Sequence, residues 1–323
     1  MAFELPLTDT ALLLQQSLQR FLADHPKPDW TGLAALGLMA VGVPEESGGV
    51  GGGAIERATI MAELGPALAG SDWLAHHLAA NVLARLALDH GLLGALATGE
   101  VRIALVLGDS GDVPLVAGAA EADWLVLAGE TRTLLVKADA TGLSLRRRAM
   151  MDGTVVADIS IATGIDADTV LAEGTAAAAA AHSWALDARN AALCAEAAGL
   201  MARMLTDTAA YLQQRQQFGV PIATFQVLRH RLADMQMALL KAEGLTERAV
   251  LGEDQPSWAR TVSAAVVETI DAVRTVGEGA VQLHGGMGVT EELALGGQFK
   301  RGLAIAATLG SKRGHLARHA QPA

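Results

Sequence analysis

Apolar positions in the first hundred residues recur every three or four places. In ALLLQQSLQRFLADH, Leu12, Leu13, Leu18, Phe21 and Leu22 fall close to one face at 3.6-residue spacing. AIERATIMAEL and DWLAHHLAANVLARLAL repeat that pattern, so the spacing predicts helices across residues 12–96. From 101 to about 170 the texture changes to short β-prone runs, RIALVLG, VPLVAG, DWLVLAG, TLLVKAD and VVADISI, divided by Gly, Asp and Ser turns. Helical spacing returns at Thr175 in four or five long segments, one over about 183–217 and another over 258–284. Strands grouped between helices argue against an alternating parallel α/β sheet. The expected fold is mainly α with a small β-domain: an N-terminal helical domain (1–99), a reduced β-domain (100–174) and a C-terminal four-helix bundle (175–323).

Composition narrows the setting. The chain has 323 residues, 51% of them hydrophobic, enough for a large core in two or three packed units. Alanine-rich runs such as GTAAAAAAHSWAL fall short of the roughly 20 strongly apolar residues that a membrane span needs. Acidic residues outnumber basic ones, 35 to 24, and the net charge is −11 with the basic residues scattered, which argues against a nucleic-acid footprint. Any anionic ligand must be held locally. The single cysteine, Cys194, excludes an internal disulfide framework, and no charged-then-apolar leader follows Met1; the simplest expected address is the cytoplasm.

Several short motifs have bland explanations. GVGGGA (49–54), with Asp72 downstream, formally fits a dinucleotide fingerprint, but PEES precedes it rather than a strand, and a flexible loop before a helix at Ile55 is expected. GDSGD (108–112) places Ser110 as in a serine-protease nucleophile loop, yet the same chemistry suits a hairpin turn. His315 and His319, four apart on a helix, could face one metal, but no third ligand stands nearby.

Two segments carry more. In RQQFGVPIATFQVLRHRLADM (215–235), Arg215 ends one helix, Gly219 and Pro221 break it, and Phe225, Leu228, Leu232 and Met235 begin the next. A guanidinium at such a helix end can fork a phosphate or carboxylate, and Phe218 offers a flat wall to a ring. In QLHGGMGVTEE (282–292), a side-chain amide precedes Gly285, Gly286 and Gly288, whose missing side chains would let backbone approach a pyrophosphate.

Together with VPEESGGVGGGAIERATIMAELG (43–65), these segments resemble the acyl-CoA dehydrogenase family, flavoenzymes that remove hydrogen across the α and β carbons of an acyl-CoA. The resemblance implies that Arg215, Phe218 and Gln226 hold FAD. It also implies that Gln282, Leu283, His284, Gly285 and Gly286 contact the adenine-dinucleotide half of an FAD seated mainly in a neighbouring subunit. Asp187 matches a helix aspartate that meets substrate in relatives; its companion arginine falls on Asn190, with Arg189 one place off.

The departures are equally specific. The Thr-Glu-Pro and Trp-Ile-Thr-like stretches that face the flavin ring in the family are absent between Glu100 and Val170. The two usual positions of the catalytic carboxylate fall on Leu309 and Arg189. Short members lacking the base resemble one half of heteromeric acyl-CoA dehydrogenases that degrade steroids and other polycyclic CoA esters. The resemblance thus implies a flavin site shared with a longer, base-bearing subunit in a heterotetramer. Two alternatives stand beside it: a structural or regulatory member that binds no flavin, and a homomeric enzyme using Glu196, Glu291 or Glu292 as an unusual base.

Overall fold

The computed structural model of the chain describes residues 5–289 and 293–321. Five helices come first: α1 (Asp9–Asp24), α2 (Trp30–Ala35), α3 (Ala54–Leu64), α4 (Gly70–Leu86) and α5 (Leu93–Thr98). Seven strands follow: β1 (Ile103–Val106), β2 (Gly111–Ala117), β3 (Trp124–Ala128), β4 (Arg132–Lys137), β5 (Leu143–Ala149), β6 (Val155–Ile161) and β7 (Thr169–Glu173). The rest is helical apart from one hairpin: α6 (Thr175–Gln214), β8 (Gln216–Gln217), β9 (Val220–Pro221), α7 (Gln226–Leu251), α8 (Trp258–His284), α9 (Ala294–Leu309) and α10 (Lys312–His319). No helix among the described residues is long and apolar enough to cross a membrane. The chain divides into two compact units, one of Gln16–Arg57 and Ala69–Arg189, the other of Met1–Gln15, Ala58–Leu68 and Asn190–Ala323.

The first unit holds all seven long strands in two sheets. One runs β1-β3-β4-β7, with β1 parallel to β3 and the other pairs antiparallel; the second is the antiparallel sheet β2-β6-β5. Alternate residues of each sheet meet in one core: Val106, Leu125 and Leu134 come from the first, Val116, Ile159 and Ile161 from the second. Strands β1, β3 and β4 are buried on both faces, which is why they read as unbroken apolar runs. Strand β5 carries no such signal. Arg146, Arg147 and Arg148 dominate it, and its place at the sheet edge leaves it exposed, Arg146 and Arg148 both pairing with Asp158.

Helix α4 brings two adjacent histidines into this unit. His76 Nε2 donates to Leu96 O at 3.0 Å while its Nδ1 accepts from the Ile103 N–H at 3.4 Å. His77 Nδ1 donates to Val41 O at 2.9 Å, its Nε2 lies buried without a hydrogen-bond partner, and its ring stacks on Trp73. Burial lowers the His76 pKa to about 4, and holds His77 well below the usual imidazole value with Arg57 adding to the effect.

Two loops differ from their expected form. The glycine run after PEES is pinned rather than flexible: Gly42 N donates to Gly51 O at 2.6 Å, Gly51 N to Val43 O at 2.9 Å, and a Cβ at Gly49 would lie 2.0 Å from Val43 O. It ends on Glu56, whose carboxylate accepts from Gly53 N at the start of α3. GDSGD is no hairpin turn, because β1 and β2 belong to different sheets; the loop carries the chain from one to the other. Asp109 there pairs with Arg132 at 2.8 Å and packs over Gly129, where a Cβ would come within 2.4 Å of it.

The second unit is a helical bundle. From Asn190 to Met201 every residue of α6 is buried, and alanine and glycine let neighbours approach its backbone. A Cβ at Gly199 would lie 2.0 Å from Ala62 O on α3, and one at Gly65 would lie 2.7 Å from Glu196 O. Helices α7 and α8 pack along their lengths, with Met235 filling the space that Gly279 leaves. Phe299 of α9 likewise sits over Gly277. Burial pushes the Cys194 thiol up to about 12, leaving it inert at neutral pH.

Candidate functional site

The helical unit brings the two informative segments together. Helix α6 ends at Gln214, and Arg215 N–H donates to Tyr211 O at 2.8 Å as the last helical bond. The chain then turns through β8 and β9, closing over Arg215 O, which accepts from Ile222 N at 2.8 Å. The two turn residues, Phe218 and Gly219, have φ of 53° and 80°, the pattern of a type I′ hairpin. Glycine and asparagine suit these positions; phenylalanine at positive φ costs about 1–2 kcal/mol. Phe218 is nonetheless 91% exposed, touching Phe225 edge-on at 6.1 Å. An aromatic ring held in solvent on strained backbone points to a surface that receives a flat ligand or another chain. Arg215 and Gln226, the first residue of α7, are exposed beside it.

The second segment closes α8. Its last residue, His284, is buried, with Nδ1 donating to Ala280 O at 2.9 Å, and its ring stacks on Tyr211 at 4.4 Å and 23°. That stack sets the end of α8 beside the end of α6, one helical turn before Arg215. Gly285 turns out of the helix at φ 62°, and a Cβ at Gly285 or Gly286 would meet nothing within 4 Å. Both are exposed, with the Gly285 N–H donating to Gln282 O as the cap of α8. Gly288 serves a different purpose from the one expected: a Cβ there would lie 2.7 Å from Val281 O, so its missing side chain lets the turn pack on α8. Gln282 is exposed and Leu283 buried, which leaves the amide on the solvent side and the leucine to anchor the helix.

The residues proposed for substrate lie on the middle of α6. Asp187 and Asn190 are 3% and 1% exposed, and Arg189 is half-buried, its guanidinium lowered to about 10 by burial. Of the two usual base positions, Leu309 is buried at the end of α9, where its carbonyl accepts from His315 Nε2 at 2.8 Å. His319 Nδ1 donates to Arg260 O at 2.9 Å, and the described residues hold no cluster of three metal-ligating side chains.

Glu196 is committed elsewhere. It is fully buried, and both carboxylate oxygens accept from Arg301 of α9, Oε1 from Nε at 2.6 Å and Oε2 from Nη2 at 2.8 Å. With no exposed surface and a guanidinium forked across it, this carboxylate serves to hold α6 to α9. Glu291 and Glu292 lie outside the described residues. Sequence reasoning could not find Arg301, because 105 residues separate it from Glu196. The Tyr211–His284 stack was missed for a similar reason: neither residue carries a local signal of its partner.

A mainly helical chain with an intervening β-sandwich and an exposed arginine–phenylalanine hairpin beside an open glycine turn defines a class of fold and site that comparison identifies. Residues 9–94 match the family model described as acyl-CoA dehydrogenase, N-terminal domain, and residues 179–320 that of the C-terminal domain. Acyl-CoA dehydrogenase IpdE2 of Mycobacterium tuberculosis is 32% identical over 290 residues, covering 88% of this chain and 82% of its own. A chain of the ChsE4-ChsE5 complex from Mycobacterium tuberculosis superposes with TM-score 0.88 at 22% identity, covering 99% of this chain and all of that one. A chain of the Tcur3481-Tcur3483 steroid ACAD, solved as a variant, gives TM-score 0.84 at 25% identity over 96% of both. The chain belongs to the acyl-CoA dehydrogenase family.

Proposed function

We propose that this chain is one subunit of an FAD-dependent acyl-CoA dehydrogenase and that a partner subunit completes its flavin site and supplies the base. The observation that carries the proposal is an unequal inventory. Groups suited to a dinucleotide are assembled and exposed, while no carboxylate occupies a base position and Glu196 is held by Arg301.

The residues present fit the group. Arg215 offers a solvent-facing fork for a pyrophosphate, Phe218 an apolar wall for a ring, Gln226 and Gln282 side-chain amides, and Gly285 and Gly286 a turn with no side chains to bar close approach. FAD held by these residues would supply the acceptor for the hydride from the β carbon of the acyl chain. This chain's residues bind and orient; removal of the α proton falls to the partner's carboxylate. Asp187, Arg189 and Asn190 are proposed to lie toward the acyl-CoA. A steroid or other bulky ring-bearing CoA ester is proposed as the substrate, supported by the steroid ACAD among the structural relatives. The proposed partner is a longer family member in a heterotetramer, supported by relatives solved as complexes of two unlike chains. The proposed location is the cytoplasm.

The test is flavin retention by the purified complex. Arg215→Ala is expected to weaken FAD binding at least about tenfold, the loss of one charge-assisted contact of roughly 1.5–3 kcal/mol, while leaving the assembly intact. A complex that binds no FAD at saturating concentration would instead support a structural family member.

A further inference from the structure

Arg215 and Phe218 on one side, Gly285 and Gly286 on the other, sit on short exposed segments with little means of holding themselves. Strands β8 and β9 pair only with each other among the described residues, two positions against two, and an isolated two-stranded hairpin is marginal in water. Its turn carries Phe218 at φ 53°, a conformation that persists only where the surroundings fix it. The glycine turn likewise starts at positive φ, at the residue where the chain leaves α8. Each segment must therefore take its direction from its base.

The Tyr211–His284 stack joins the two bases. Tyr211 stands one turn before the end of α6, and its carbonyl accepts the Arg215 N–H at 2.8 Å, so a shift of Tyr211 passes directly to the arginine. His284 ends α8, 6% exposed, its ring oriented by the Nδ1 bond to Ala280 O at 2.9 Å. The turn that follows folds back over it: a Cβ at Gly288 would come within 3.2 Å of the His284 Cβ. A line of contacts thus runs from Gly288 through His284 and Tyr211 to Arg215. The same stack sets two helix C-termini side by side, and their partial negative charge opposes an anionic ligand. A guanidinium free to swing would leave that charge uncompensated.

We propose that Tyr211 and His284 are positioning residues for the cofactor: their stack fixes Arg215 and Phe218 against Gly285 and Gly286 as one preformed grip, a role that rests on the flavin reading of those four residues. A grip assembled before the ligand arrives spares binding the cost of ordering it. The working element is ring contact, with centroids 4.4 Å apart at 23°, rather than the phenol hydroxyl or an imidazole charge.

FAD affinity of the purified complex, titrated by flavin fluorescence and set beside thermal unfolding, tests the role. Tyr211→Leu and His284→Asn each remove a ring and should weaken FAD by at least about tenfold, as misplaced binding groups do. Tyr211→Phe and His284→Phe keep the rings and should bind within about twofold of the wild type. Combined with Arg215→Ala, Tyr211→Leu should add little further loss, because the guanidinium it positions is gone; independent effects would multiply. A folded Tyr211→Leu complex that binds FAD as the wild type does, losses that multiply in the double variant, or phenylalanine variants that bind as weakly as the ringless ones would each overturn the positioning role while leaving the flavin reading in place. An Arg215→Ala complex with unchanged FAD affinity would overturn the flavin reading, and the positioning role with it.

Discussion

Replacing Glu196 by glutamine separates a structural carboxylate from a catalytic one. Glu196 is fully buried, and Arg301 has a side chain only 10% exposed, so water does little to screen either charge. Glutamine leaves the guanidinium with one neutral acceptor in place of two anionic ones, inside a site too tight for relaxation: Gly65 already packs against the Glu196 backbone and Cγ. Removing one partner of a buried pair costs about 3–5 kcal/mol, because the remaining charge stays desolvated. With a slope of roughly 3 kcal/mol per molar urea, the unfolding midpoint should fall by at least about 1 M. Replacing both residues by apolar ones of similar volume, Glu196→Leu with Arg301→Met, should recover much of the loss. Urea unfolding followed by circular dichroism at neutral pH reads all three proteins. A Glu196→Gln variant with an unchanged midpoint and lost turnover would refute the argument and return Glu196 to the role of base.

Three further outcomes follow from individual side chains. Unfolded, the His76 imidazole takes its proton near 6.5; folded, only near 4, so as pH falls between them the unfolded state binds the extra proton and stability declines, by about 3 kcal/mol in full. His76→Phe should remove that part of the acid slope; an unchanged slope between pH 6.5 and 4 would contradict it. Glu243 runs the other way: burial raises its carboxyl from 4.5 to about 7, so its cost to stability is absent below 4.5 and grows as pH rises to 7. Glu243→Gln should therefore stabilise at pH 8 by up to about 3 kcal/mol relative to its effect at pH 4.5, and equal effects at the two values would count against a neutral buried acid. Phe218→Gly should relax the hairpin, leaving thermal stability equal or higher by about 1 kcal/mol, while FAD retention falls; loss of stability instead would mean that Phe218 serves the fold.

What could be read from the chain followed the periodicity. Helical spacing and buried strands announce themselves because one side must avoid water, so the helix–strand–helix order was legible from Leu12 to the last helix. Strand β5 was not, since an edge strand with three arginines buries almost nothing and leaves no alternation to see. GDSGD was read as a hairpin because local turn chemistry cannot tell which sheet the next strand joins. The rigidity of the glycine run escaped for the same reason: it depends on Val41 and Val43 folding back onto Gly51 and Gly49. Of the site, Arg215, Phe218 and the glycine turn were legible as residues, but their adjacency depends on Tyr211 stacking on His284 across 72 intervening positions.

The proposed division of labour between subunits is tested most directly by bleaching of bound flavin with an acyl-CoA bearing a steroid-like ring, measured for this chain alone and after co-expression with a candidate partner subunit of the same family. The account predicts bleaching and turnover only in the co-expressed complex, with both lost when the partner's carboxylate is changed to its amide. A homo-oligomer of this chain that is yellow by itself and bleaches at the rate of the complex would contradict it.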